Sequence, residues 1–195
     1  MAAEHDQIKK KYFEASGCIG SLTAMKDDVY EGKVMAAVNS FNPRAKALGK
    51  IGLDESQLKE IPPVNFHGYN FDSGVRTKIG KDGRLRSSKY EVTWLFFSGT
   101  QVYMYRLQLD MISESKKEVT EEYFYKDITN FSTSSETVES EVAAGCFGKP
   151  GKKSAEYSRF SLVVPGDKFY CSLSGVANAD TAINAMKHKL REKKG

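Results

Sequence analysis

The stretch from Lys89 to Asp110, KYEVTWLFF-SGT-QVYMYRLQLD, constrains the fold more than any other in the chain. Tyr90, Val92, Trp94 and Phe96 alternate with Lys89, Glu91, Thr93, Leu95 and Phe97. A period of two puts the two sets on opposite sides of a strand, and β-branched and aromatic side chains suit a pleated, half-buried surface. Ser98-Gly99-Thr100 is a short loop with glycine, the usual punctuation of a hairpin. The return strand sets Tyr103, Tyr105, Leu107 and Leu109 against Val102, Met104, Arg106 and Gln108. This predicts a β-hairpin with one face on a core and the other partly wet, the common arrangement in antiparallel sheets.

Before the hairpin, residues 1 to 61 read as helical. Ile8 and Tyr12 share a helical face, and Val34, Val38 and Phe41 repeat at helical spacing. Asn42-Pro43 has the form of an N-cap followed by proline at the first helical position. Gly49 and Gly52 interrupt the next segment. Asp54 with Gln57 three residues on resembles a capping box, and Pro62-Pro63 stops the helix it would open. Strand signals then run from Asn65 to Phe71, Val119 to Tyr125, Ile128 to Ser132, Tyr157 to Val164 and Lys168 to Leu173. A glycine- and lysine-rich turn spans Lys78 to Gly83, and Pro165-Gly166-Asp167 is a turn. Ile183, Met186 and Leu190 form the apolar stripe of a final helix.

No apolar run approaches the roughly 20 residues a membrane helix needs. The start, MAAEHDQ, lacks the basic-then-apolar pattern of a signal peptide, so a cytoplasmic location is expected. The three cysteines, Cys18, Cys146 and Cys171, are scattered, and no Cys/His spacing suits a metal; no metal and no cofactor are expected. The net charge of +4 is mild and concentrates near the C-terminus, which gives no reason to expect a nucleic-acid partner.

The order of elements, about seven antiparallel strands and then one amphipathic helix, resembles the pleckstrin-homology-like superfold, in particular bacterial PH-like and GRAM-like domains. Phe124 to Phe131 is similar to that fold's strand-turn-strand passage. Arg159 to Val164, Gly166 to Tyr170 and the helix after Asn178 are similar to its last hairpin and closing helix. The resemblance implies an α+β chain in two parts. Residues 1–63 would be a helical N-terminal extension. Residues 64–195 would be a bent antiparallel β-barrel of about seven strands closed by the C-terminal helix. Its single core would hold Trp94, Phe96, Tyr123, Ile128, Phe160, Leu162, Phe169, Cys171, Ile183, Met186 and Leu190.

Several stretches carry candidate chemistry. Lys81, Arg84 and Arg86 flank a turn and match the basic hairpin with which lipid-binding PH domains hold inositol phosphates; arginine grips phosphate bidentately and lysine adds point charge. The plain reading of the same stretch is a solvated turn with Asp82-Gly83 at its tip. Gly145 to Lys153 approaches a phosphate-binding P-loop but has the wrong spacing, and Lys153 stands where a magnesium-holding hydroxyl belongs. Ala47 to Leu58 has the outline of a helix-hairpin-helix, yet Asp54 and Glu55 are acidic where a DNA phosphate would sit. Ser113-Glu114-Ser115-Lys116 has Ser-x-x-Lys spacing in a charged turn. His5, His67 and His188 lie far apart, and no nucleophile–base set assembles from the sequence.

The expectation is therefore a protein that is not an enzyme: a cytoplasmic binding module that engages a protein partner or copies of itself, with Tyr103 and Tyr105 as its interaction surface. The alternative is a membrane-surface module holding anionic lipid head groups through Lys81, Arg84 and Arg86.

Overall fold

The structure is a computed structural model that describes residues 2–15, 20, 22–54, 56, 62–142, 151–173 and 179–194. The chain opens with helix α1 (Ala2–Ile8), which runs on as a π-helical turn (Lys9–Phe13). Helix α2 (Asp27–Phe41) follows, with Asp27 and Asp28 in its first turn, where the helix dipole favours negative charge. Asn42 closes it in the left-handed conformation, φ 43°, and Pro43 begins α3 (Pro43–Ile51), which Gly52 ends at φ 73°. Gly49 lies within α3 and does not interrupt it.

Among the described residues nine strands come next: β1 (Val64–Asn70), β2 (Thr77–Ile79), β3 (Leu85–Ser87), β4 (Lys89–Phe97), β5 (Gln101–Asp110), β6 (Lys116–Phe124), β7 (Asn130–Val142), β8 (Gly151–Val164) and β9 (Asp167–Ser172). Helix α4 (Ala179–Lys194) ends the fold. The predicted hairpin is present with the expected bounds, and its register pairs Val92 with Leu107 and Trp94 with Tyr105.

The strands do not close into a barrel. They form three sheets, ordered β1-β4-β5-β6, β2-β3 and β7-β8-β9. The expected seven-stranded barrel with one core is thus corrected to an α+β architecture of three sheets with helices at both ends. The physical reason lies in β4 and β5. Both of their faces are apolar, so both need cover. On one face Tyr90, Val92, Phe96, Tyr105, Leu107 and Leu109 pack with Ile8, Tyr12, Tyr30, Val34, Val38 and Ala47 of the N-terminal helices. On the other, Leu95, Phe97, Val102 and Met104 pack with Phe131, Phe160, Leu162, Phe169 and Cys171 of the three-stranded sheet and with Ile183, Met186 and Leu190 of α4.

The expected wet face is therefore covered over most of its area as well: Glu91 and Thr93 are buried, while Arg106 and Gln108 stay half-buried. The single expected core divides between two clusters, with Trp94 and Phe96 on the helix side and the rest on the sheet side. Edge strand β6 carries Lys116, Lys117, Glu118, Glu121 and Glu122, charges that discourage further pairing, and a 3-10 turn (Tyr125–Asp127) separates it from β7. Among the described residues no helix is long and apolar enough to cross a membrane.

Candidate functional site

Two features occupy the helix-covered face, a polar lock and an open groove. The lock forms where the β2–β3 hairpin meets α2. Arg86 of β3 is 2% exposed. Its Nε and Nη2 donate to Glu31 Oε1 at 2.9 and 2.6 Å. Nη1 and Nη2 donate to the two oxygens of Asp82 at 2.8 and 2.7 Å, and Nη1 also donates to the Arg84 carbonyl at 3.2 Å. A guanidinium has five N–H donors, and all five are used.

The hydrogen bond with Asp82 is the largest influence on both groups: it raises the Arg86 pKa and holds the Asp82 carboxyl far below its usual range. Asp27 joins the same cluster by accepting from Tyr12 Oη at 3.0 Å and from the Lys81 backbone N–H at 2.9 Å. Gly80 is required by close approach. A Cβ there would overlap Arg86 Nη1 and would lie 2.7 Å from Asp27 Oδ2 and from Asp82 Oδ1. Lys78 Nζ sits over the Tyr12 ring and donates to the Tyr12 carbonyl at 3.0 Å, and burial lowers its pKa.

The structure does not assemble the expected basic set on the surface. Lys81 and Arg84 are exposed, but Arg86 is buried and has no donor left for a phosphate. The two tyrosines are likewise not a free surface. Tyr105 is fully buried and donates to Glu118 Oε2 at 3.2 Å, and Tyr103 is half-buried against the helix-side core. Period-2 alternation placed both on one face; only the position of the helices shows that this face is covered.

The groove has a volume of about 300 Å³ and lies between the corner of α2 and α3 and the outer half of the four-stranded sheet. Met35, Val38 and Asn39 of α2, with Asn42 and Arg44 at the corner, make its helical wall. The register pairs Asn65 with Trp94 and His67 with Val92, so β1 and β4 present these side chains together as the other wall, joined by Tyr90. His67 Nδ1 and Tyr90 Oη are 2.7 Å apart. Burial lowers the His67 pKa, and burial, followed by the charge of Glu31, raises that of Tyr90, so the pair is uncharged near neutral pH. The side-chain amides of Asn39 and Asn42 bond to no described residue.

Trp94 is the only tryptophan in the chain. Its Nε1–H is buried without an acceptor, which costs about 1–3 kcal/mol against a satisfied donor. Among the described lining residues there is no Asp or Glu, and Arg44 is the one that carries a full charge. Sequence reasoning placed Trp94 in the core and read His67 as structural. The alternation on β4 held half of the groove's signal; the other half, at Asn39 and Asn42, carries no local pattern.

The remaining candidates are not assembled into sites. Ser113 to Lys116 is the turn between β5 and β6, where Ser115 N–H donates to Ser113 Oγ. His5 Nδ1 is 3.0 Å from the Met111 carbonyl, and His188 is exposed on α4. Cys171 is buried, and burial raises its thiol pKa. Cys18, Cys146 and most of the P-loop-like stretch, residues 145–150, lie outside the described residues, as do Gln57 and Leu58 of the capping box and helix-hairpin-helix outlines. Among the described residues no group of three or more His, Cys, Asp or Glu could hold a metal ion.

No known family model, no curated protein and no solved structure matches the chain. The resemblance to PH-like domains therefore rests on the order of elements and on the stretches at 124–131 and 159–170 alone.

Proposed function

We propose that the protein is a non-enzymatic binding module whose recognition site is the groove between the α2–α3 corner and strands β1 and β4. One observation carries this reading: the buried Trp94 indole N–H lacks an acceptor in the wall of a groove that also holds two uncommitted amides. Concave sites that mix apolar surface with a few polar groups are the usual places where ligands bind. Buried donors without partners are uncommon in folded proteins and call for an explanation. The titratable pair in the groove, His67 with Tyr90, is neutral and self-satisfied, and it has no nucleophile beside it among the lining residues. That supports binding over catalysis. A protein partner was expected to dock through Tyr103 and Tyr105; with Tyr105 internal, the groove takes over that role.

Trp94 makes the test direct, because its emission reports on the groove wall. A small-molecule screen read by tryptophan emission and by Tm should return compounds that shift both in the wild type. The shifts should be lost in Asn39→Phe, an exposed position where a ring fills the mouth of the groove. Compounds that act equally on both forms would move the binding site elsewhere and sink the reading.

A further inference from the structure

We infer that strand β6 is a self-complementary edge, through which two copies of this chain pair antiparallel about a two-fold axis at Val119. This surface is separate from the groove, none of whose lining residues lies on β6.

β6 is the last strand in the order β1-β4-β5-β6, and among the described residues β5 is its only strand neighbour. Such an edge presents a row of backbone donors and acceptors that can template another strand. Charges on an edge repel most strands that approach it, and on β6 their order decides which strand they admit. Lys116 and Lys117 stand on one side of Val119, and Glu122 and Glu121 stand at matching distances on the other. The pattern is therefore its own complement when the strand is reversed.

In an antiparallel pair centred on Val119, Lys117 faces Glu121 of the second copy, Lys116 faces its Glu122, and the two Val119 side chains meet. These two charge pairs, each occurring twice by symmetry, make four across the contact. Glu118 faces Thr120, so no like charges are opposed. Parallel pairing in register would instead set lysine on lysine and glutamate on glutamate. A slip of one residue either opposes Glu118 to Glu121 or halves the number of opposite-charge pairs. Lys117, Val119 and Glu121 share one face of the strand, where they pair with Gln108, Arg106 and Met104 of β5. The register centred on Val119 thus carries the sheet from one copy into the next with its two faces continuous.

The inner charges are available for this. Among the described residues Lys117 and Glu121 belong to no ion pair; Glu121 accepts from the Tyr123 hydroxyl, a neutral donor that leaves the carboxylate charge in place. Glu122 accepts from Gln101 Nε2 at 3.1 Å, again a neutral donor. Lys116 is more occupied, with its Nζ 3.6 Å from Glu118 Oε1 and over the Phe41 ring. Glu118 is also held by Lys50 at 2.7 Å and Lys46 at 3.7 Å, so it keeps its compensation when Lys116 turns to the second copy. The inner pair, Lys117 with Glu121, therefore fixes the register. A nine-residue edge belongs with small interfaces, below about 1,200 Å², so the dimer forms at high protein concentration and dissociates on dilution.

The test is sedimentation equilibrium of the full chain over a wide range of concentration, at low and high salt. The wild type should pass from monomer to dimer and no further, because a two-fold contact closes on itself, and added salt should weaken the dimer. Lys117→Glu and Glu121→Lys each oppose like charges, and each should raise the dimer dissociation constant about ten-fold or more. Mixed in equal amounts, the two variants should pair with each other about as well as the wild type does with itself, since every reversed charge then meets its opposite. The Tm of each variant checks that it folds. If a single reversal lowers Tm, the double variant Lys117→Glu/Glu121→Lys decides in place of the mixture, and it should recover the homodimer. A wild type that stays monomeric at every concentration, or that grows into open chains, would overturn the inference. So would a dimer indifferent to both reversals, or one that the mixture of folded variants fails to restore.

Discussion

The two faces of the four-stranded sheet are built from one hairpin yet solve burial in different ways. The helix-side face is tyrosine-rich. Tyr12 and Tyr30 stack at 4.1 Å between ring centroids, Tyr69 and Tyr90 meet edge to face at 5.0 Å, and Tyr30 Oη donates to the Ser87 carbonyl at 2.6 Å. That face also holds the Arg86 lock and the groove. The sheet-side face is phenylalanine- and aliphatic-rich, with Phe66 stacked on Phe160 at 5.0 Å and Phe131 on Phe160 at 5.6 Å. One acid is buried beside it, Glu91, which accepts from the Ser172 backbone N–H at 2.8 Å and from Asn70 Nδ2 at 3.1 Å. A dry face gains stability from close packing. Each face leaves one buried polar atom without a partner, Thr93 Oγ1 on the sheet side and Trp94 Nε1 on the helix side, and of the two residues only Trp94 lines the groove.

The comparison breaks if the two faces respond alike to substitution. The largest effect is expected at Phe160→Ala on the dry face, a loss of about 3–5 kcal/mol for removing a fully buried aromatic ring, measured by urea denaturation. Arg86→Met on the polar face should cost roughly 3 kcal/mol. It strands Glu31 and Asp82, whose side chains are about 40% exposed and so recover part of their hydration. A smaller midpoint shift than that of Tyr30→Phe would mean the lock is not holding the helices. Tyr30→Phe removes the hydroxyl that serves the Ser87 carbonyl and should cost about 1–2 kcal/mol without changing the m-value.

The smallest effects are in pH dependence, and they sharpen the contrast because the two faces pull in opposite directions. Glu118 joins β6 to α3 through Lys50 Nζ at 2.7 Å, and that hydrogen bond is the main cause that lowers its pKa from 4.5 to about 2. Its contribution is fully present above pH 4.5 and is lost as pH falls toward 2. Glu91 is the reverse case. Burial raises its pKa, so its ionised form destabilises the fold, and stability falls as pH rises above 4.5 through the raised value. Tm followed across this range should show Glu118→Gln flattening the acid limb and Glu91→Gln flattening the limb above it. Glu91→Gln leaving that upper limb unchanged would show that burial at this site is not what shapes it.

Much of the secondary structure was legible. The hairpin, the later strands, the turn at Gly166 and the closing helix follow from alternation, glycine placement and 3.6-residue spacing, all of them local properties. The Asn42-Pro43 boundary was legible for the same reason. The barrel was wrongly inferred because strand order in sequence does not say which edges pair. β6 and β7 are consecutive yet share no ladder. The candidate site was legible only in part. A basic turn was visible, but its strongest member, Arg86, is surrounded by a carboxylate 55 positions away, and no sequence period spans that distance.

By itself the sequence determined that β4 and β5 would pair and which of their side chains would share a face, since side-chain direction along a strand is fixed by the pleat. Tertiary structure decided what covers each face: tyrosine-bearing helices on one side, a second sheet and α4 on the other. It turned Arg86 from a surface cation into a buried lock and brought Asn39 and Asn42 opposite Trp94 to make a groove. Covering layers are chosen by the free energy of the whole assembled surface, to which residues far apart in the chain contribute together.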